Sequence, residues 1–197
     1  MMKWKLLGQA PRYDGFFKVD ACHLRHETYR GEEIEITREL FQRGDAVAVL
    51  LYDPGNDRVV LIEQFRVGAI REDNPWMLET VAGMVEEGES VTDVARRECE
   101  EEAGVKVHSF EPVHSFYSSP GGCTEKIHIL CALINSDGLG GIHGLEEEGE
   151  DIKVQVFDYA EVHDLLASGR ICAAIPLIAL QWLALNRERL QVESIVM

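Results

Sequence analysis

No stretch of this chain is apolar for long enough to span a bilayer, and Lys3-Trp4-Lys5-Leu6-Leu7-Gly8 is too short for a signal peptide. No membrane association is expected, and a cytoplasmic protein is. Cysteine is sparse and unpatterned. The five (Cys22, Cys99, Cys123, Cys131, Cys172) are odd in number and include no CxxC. That excludes a disulfide framework and leaves reduced thiols. Positive charge is also short, with 19 Lys and Arg against 35 Asp and Glu and a net charge of -16. A general nucleic-acid binder needs a basic surface, so nucleic acid is not an expected partner. A small phosphate substrate stays open, because bound metal ions invert the local field. The seven histidines (His23, His26, His108, His114, His128, His143, His163) lack zinc spacing. P-loop, GxSxG and GxGxxG motifs are missing, as are repeats and low-complexity tracts.

The 197 residues are 46% hydrophobic and 27% charged, which suits one ordinary soluble domain with a small N-terminal appendage. Residues 1–45 are expected to form that appendage and 46–197 the main domain. Short alternating pieces from Ala10 to Tyr29 and from Glu33 to Phe41 read as small antiparallel strands. Ala46–Tyr52 and Val59–Phe65 flank the turn-forming Asp53-Pro54-Gly55-Asn56-Asp57, which predicts a hairpin. Further strands are expected at Val113–Tyr117, Ile127–Ile134 and Ile152–Phe157. Asp158, with Glu161 three residues on, caps a helix, and Ala174–Arg189 reads as a longer one with Pro176 in its first turn. Gly138–Asp151, glycine-rich and then acidic, reads as a mobile loop. Pattern alone supports an α/β or α+β fold.

The most informative segment is Gly83–Val105, GMVEEGESVTDVARRECEEEAGV. Ser90 with Asp93 predicts a helix start near Val91, and Gly104 a stop after Ala103. At about 100° per residue, Val91, Val94, Ala95 and Cys99 form one apolar stripe. Asp93, Arg96, Arg97 and Glu100 fall opposite. Glu98 and Glu102 fall inside the stripe, one turn apart, and point at the core, with Glu101 at its edge. Glutamate runs on helices are ordinarily solvated faces, and Glu100 fits that description. Two carboxylates held side by side against a core need compensation. Arginine pairing is one source, but the wheel turns the adjacent Arg97 elsewhere. A hard divalent cation, Mg²⁺ or Mn²⁺, is the better candidate for clustered oxygens without Cys or His.

Gly83, Glu89, Arg97, Glu98, Glu101, Glu102 and Gly104 stand at the fixed positions of the Nudix box, and the segment resembles the Nudix hydrolases. The resemblance extends to GFF at Gly15–Phe17, LIEQFR at Leu61–Arg66, PWMLETVAGM at Pro75–Met84, SPGG at Ser119–Gly122 and HGLEEEGEDI at His143–Ile152. Together these are similar to the bacterial ADP-ribose pyrophosphatase subgroup, including Pro120, sixteen residues beyond Gly104. The resemblance implies a Nudix-type α/β/α sandwich with a mixed sheet, plus the small N-terminal antiparallel segment.

It also implies roles. Glu98 and Glu102 are direct metal ligands, Glu101 a weaker third and the Ala82 carbonyl a further one. Arg97 and Glu89 brace the box loop against its helix. Gly83, with Met84 beside it, lets the backbone approach the phosphates. Arg66 contacts the diphosphate or terminal ribose, Ser119 and Pro120 line the substrate, and Glu125 binds a ribose. Phe17 and Arg38 contact adenine from a partner subunit, which implies a domain-swapped homodimer. The catalytic base lies on the acidic loop, where Glu148 is the candidate base and Glu150 an extra metal contact or the alternative base. The implied reaction is Mg²⁺-dependent hydrolysis of ADP-ribose to AMP and ribose 5-phosphate. Two alternatives stand beside it: another sugar nucleotide such as GDP-mannose, and a non-catalytic ADP-ribose sensor. The intact Glu98, Glu101 and Glu102 weigh against the sensor.

Overall fold

The structure is a computed structural model that describes the backbone of residues 1–196 and side chains through residue 193. The chain forms two compact units: Met1–Asp45 with Phe116–Ile127, and Ala46–Ser115 with the residues from His128 onward. The first contains β1 (Trp4–Asp14), β2 (Lys18–Glu27) and β3 (Glu33–Gln42), an antiparallel sheet in the order β1-β2-β3. Strand β1 reaches back to Trp4, beyond the stretch that the alternation predicts, through pairing with β2 that shifts register between Leu6 and Gly8 and between Pro11 and Tyr13. Ten of the eleven β1 residues are exposed, while Ala21 and Cys22 of β2 are buried. Residues 116–127 are tied in by the Phe41 N–H donating to the Gly122 carbonyl (2.7 Å) and the Thr124 N–H to the Phe41 carbonyl (3.1 Å).

The second unit is built on β4 (Ala46–Asp53), whose eight residues are all buried, as a strand covered on both faces requires. It pairs with β5 (Arg58–Phe65) as the expected hairpin, and Asp53 Oδ1 accepts from the Gly55 and Asn56 N–H groups at 3.0 Å each. After β6 (Trp76–Glu79) and β7 (Val81–Met84) comes α1 (Val91–Ala103). Next are β8 (Glu111–Tyr117), β9 (Lys126–Leu133), β10 (Gly141–His143) and β11 (Ile152–Asp158). α2 (Tyr159–Ala167) and α3 (Ala174–Val196) end the chain. The sheet order is β10-β11-β5-β4-β9-β8, with β6 beside β5 and β7 beside β4.

Strand alternation splits the core. Val47, Val49, Leu51, Val60 and Ile62 pack on Val94, Ala95 and Cys99 of α1. The residues between them (Ala48, Leu50, Tyr52, Leu61) are also buried, and α3, with Leu180 and Leu183 buried, packs against β4. Two expectations are corrected. Residues 138–151, expected as a mobile loop, contain regular structure: β10, paired to β11, and a 3-10 turn at Glu146–Glu148. The last helix does not stop at Arg189 but runs through Val196, since nothing there breaks it. Among the described residues, no helix is long and apolar enough to cross a membrane.

The hairpin turn is locked to α3. Asp57 sits at φ 56, accepts from the Tyr52 hydroxyl at 2.8 Å, and pairs with Arg187, whose Nε lies at 2.7 Å. The guanidinium in turn stacks 4.4 Å from the Tyr159 ring centre. Asp57→Ala leaves two polar partners unsatisfied, and chemical denaturation is expected to show a loss of about 2 kcal/mol.

Candidate active site

Helix α1 forms as its ends dictate. Ser90 Oγ accepts from the Asp93 N–H at 3.1 Å, and Gly104 closes the last turn in the left-handed region at φ 66. Its buried residues are Val94, Ala95, Glu98, Cys99, Glu102 and Ala103. Glu98 and Glu102 therefore do lie on the core-facing stripe. Burial pushes the Glu98 carboxyl up to about 7, against the opposing pull of Arg97, with Glu101 and Glu150 adding to the rise. Burial pushes Glu102 up to about 8; the Ala82 N–H, 2.9 Å from its Oε2, opposes this, Glu98 and Glu150 reinforce it, and Arg66 tempers it.

One expectation fails here. Arg97 does not point elsewhere: its Nη1 lies 2.9 Å from Glu98 Oε1 and 3.0 Å from Glu101 Oε2. The helical wheel gives the direction of Cβ, whereas the long arginine stem sweeps back across the helix edge. Glu89 accepts from the Glu86 N–H at 3.2 Å, bracing the turn before the helix, and its charge also reaches Arg97. Gly83 has a further cause. A Cβ there would collide with the Glu98 carboxylate, so the glycine makes room for a side chain of the helix. Met84 beside it is exposed. Arg66 Nε is 2.7 Å from Glu79 Oε2, a partner that the sequence reading did not single out.

The acidic segment lies against the end of α1. The Gly144 N–H donates to the Glu101 carbonyl at 3.1 Å. Glu150 is half-buried, accepts from the Leu145 N–H at 3.2 Å, and is the loop carboxylate whose charge is felt at both Glu98 and Glu102. Glu148 is exposed at the end of the 3-10 turn.

The remaining candidates belong to the other compact unit. The half-buried Phe17 is engaged edge-to-face by Phe41 at 5.1 Å, with the Arg43 guanidinium 5.3 Å from its ring centre. The adjacent Phe16 is 85% exposed and offers its ring to solvent. Arg38 is exposed and donates to its neighbour's carbonyl, that of Thr37, at 2.9 Å. Ser119 and Pro120 are exposed, and the Ser119 carbonyl closes the turn onto the Cys123 N–H at 2.9 Å. Glu125 is buried and ion-paired with Arg43 at 2.7 Å. Arg43, which joins Phe17 to Glu125, carried no motif signal, because an isolated arginine before a strand reads as surface.

Among the described residues, no three Asp, Glu, His or Cys side chains are already gathered as a finished metal cage. The donor chemistry nonetheless suits a hard cation. The two buried carboxylates resist ionising where they stand, and their acidic neighbours Glu101 and Glu150 offer oxygen alone.

A family model described as NUDIX domain matches residues 42–174. The ADP-ribose pyrophosphatase of Escherichia coli (strain K12) is 44% identical over 191 residues, covering 96% of this chain and 91% of that protein. A GDP-mannose pyrophosphatase of Cronobacter sakazakii is 36% identical over 170 residues, covering 83% of this chain and 88% of that protein. A crystal structure of an ADP compounds hydrolase matches the fold with a TM-score of 0.71 at 23% identity, covering 97% of this chain and 96% of that one. With the box helix, its carboxylates and the layered sheet in place, the chain belongs to the Nudix family of hydrolases.

Proposed function

We propose that this enzyme hydrolyses the diphosphate of ADP-ribose to AMP and ribose 5-phosphate, with Mg²⁺ held on α1. The observation that carries the reading is the pair Glu98 and Glu102, two carboxylates buried one turn apart on the core face of the box helix. The 44% identity to an ADP-ribose pyrophosphatase, over nearly the whole chain, supports the substrate.

Glu98 and Glu102 hold the ion, with Glu101 and the Ala82 carbonyl, and Mn²⁺ suits the same oxygens. When bound, a divalent cation supplies charge neutralisation at the diphosphate and makes water more acidic. Glu98 and Glu101, paired with Arg97 here, would offer their oxygens to the ion, and Arg97 with Glu89 keeps the box loop in register. Glu150, already within electrostatic reach of the pair, contributes a further contact. Glu148, on the exposed turn, takes the proton from the attacking water. Arg66 binds the diphosphate, Gly83 and Met84 flank it, and Glu125 binds a ribose beside Ser119 and Pro120. Phe17 and Arg38 serve the adenine from a second copy of the chain, and the exposed β1 surface is consistent with such a homodimer. GDP-mannose is the second reading, favoured by the 36% identical GDP-mannose pyrophosphatase.

The test is Mg²⁺-dependent turnover of ADP-ribose, GDP-mannose, ADP-glucose, NADH and diadenosine polyphosphates with product identification. Preference for ADP-ribose with release of AMP and ribose 5-phosphate is expected; preference for another compound overturns the substrate. Light scattering should give twice 22.2 kDa, and a monomer would remove Phe17 and Arg38 from the site.

Glu98→Gln and Glu102→Gln are each expected to lower kcat by about 100-fold while the fold persists by circular dichroism. Near-normal turnover in both would remove the metal assignment. Glu148→Gln is expected to lower kcat by about 10²- to 10⁴-fold at nearly constant KM, and normal activity would move the base to Glu150. Stability should also report the pair. Their folded pKa values, about 7 and about 8, lie above the ordinary 4.5, so the folded state holds the extra protons. Their contribution is fully present below about pH 4.5 and is lost as pH rises towards 8. In chelator, the melting temperature of the wild type relative to the Glu98→Gln/Glu102→Gln double variant should fall across that window. Added Mg²⁺ should restore more at pH 8 than at pH 5. A difference independent of pH would contradict the burial argument.

A further inference from the structure

His143 belongs to β10, at the root of the acidic loop, and is part of none of the roles above. Its Nε2 lies 3.0 Å from the Gly140 carbonyl. A carbonyl only accepts, so Nε2 carries the proton in that bond. The ring stands directly over Gly104, the last glycine of the box. A Cβ on Gly104 would lie 2.8 Å from His143 Cε1 and 3.3 Å from Nδ1, so the imidazole fills the space that a side chain there would need. One residue further on, the Gly144 N–H donates to the Glu101 carbonyl at 3.1 Å. Two adjacent residues thus fasten the loop to the final turn of α1, the turn that carries Glu101 and Glu102.

Beyond this clasp the loop closes on itself. Glu150 accepts from the Leu145 N–H at 3.2 Å, and its own N–H donates to the Leu145 carbonyl at 3.1 Å. Where Leu145 stands therefore decides where the Glu150 carboxylate stands, and the clasp at His143 and Gly144 decides where Leu145 stands. The β10 ladder does not depend on the imidazole, since Gly141↔Val154, Ile142↔Lys153 and His143↔Ile152 pair through the backbone. Removing the ring frees the loop root without dismantling the sheet.

We propose that His143 is a positioning residue: seated over Gly104, it fixes the origin of the acidic loop on the box helix and so places Glu150 and Glu148 relative to Glu98 and Glu102. The proposal rests on the reading that this loop supplies carboxylates to the reaction.

The test compares His143→Ala and His143→Gln in the full-length enzyme, with Glu148→Gln and Glu150→Gln as references. The glutamine amide keeps a donor for the Gly140 carbonyl. In His143→Ala, hydrogen exchange at the Gly144 and Glu150 amides should speed up. Its kcat should fall on the order of tenfold or more, and the Mg²⁺ concentration for half-maximal activity should rise, at nearly constant KM for ADP-ribose. Circular dichroism should be unchanged, and His143→Gln should recover most of the loss. A His143→Ala enzyme with normal kcat and Mg²⁺ response, while Glu148→Gln or Glu150→Gln is impaired, overturns the proposal and leaves the loop reading intact. Full activity of both glutamine references overturns the loop reading itself. Unchanged exchange at Gly144 in His143→Ala shows that the ring does not fasten the loop, and also overturns the proposal.

Discussion

Two carboxylates one helical turn apart, both turned towards the core, set the terms for everything around them. Charge in such a place is costly in water's absence, and like charge beside it costs more. The structure answers with several small compensations. The Ala82 N–H bonds Glu102, Arg97 pairs with Glu98, and Arg66 lends its field from just beyond the end of β5. Gly83 gives up a side chain so that Glu98 has somewhere to lie. Burial outweighs these compensations and pushes the two carboxyls up, to about 7 for Glu98 and about 8 for Glu102. A site left electrostatically unfinished in this way is suited to receive a cation, because ion binding and loss of the protons then drive one another.

The surroundings divide the work between rigid and adjustable parts. Helix α1 is anchored by its caps and by its apolar stripe on β4, β5 and β7, so Glu98 and Glu102 have little freedom. The acidic loop is held at its root and at its return into β11, while Glu146, Glu147 and Glu148 between them face solvent. On the proposed function, the fixed pair would hold the ion while the short exposed turn leaves its carboxylates free to adjust.

What could be read from the chain follows from how local each cause is. The limits of α1 were legible because Ser90, Asp93 and Gly104 act within one turn, and the inward glutamates because helical periodicity is geometric. The β4–β5 hairpin was legible for the same reason, its turn chemistry lying in five consecutive residues. The reach of Arg97 was not, since a wheel describes Cβ directions and not the path of a long side chain. Strand β10 was hidden in a glycine-rich tract, because its partner Ile152–Val154 lies across the loop. The crowding at Gly83 and the junction that Arg43 makes between Phe17 and Glu125 depend on residues brought together only by folding.

The space above Gly104 has one occupant and two claimants. A left-handed φ of 66 could in principle be tolerated by asparagine, yet any side chain there would enter the volume held by the imidazole of His143. A side chain at position 104 would therefore require the imidazole of His143 to move. The box glycine and the loop histidine, 39 positions apart in the chain, thus lay claim to the same space.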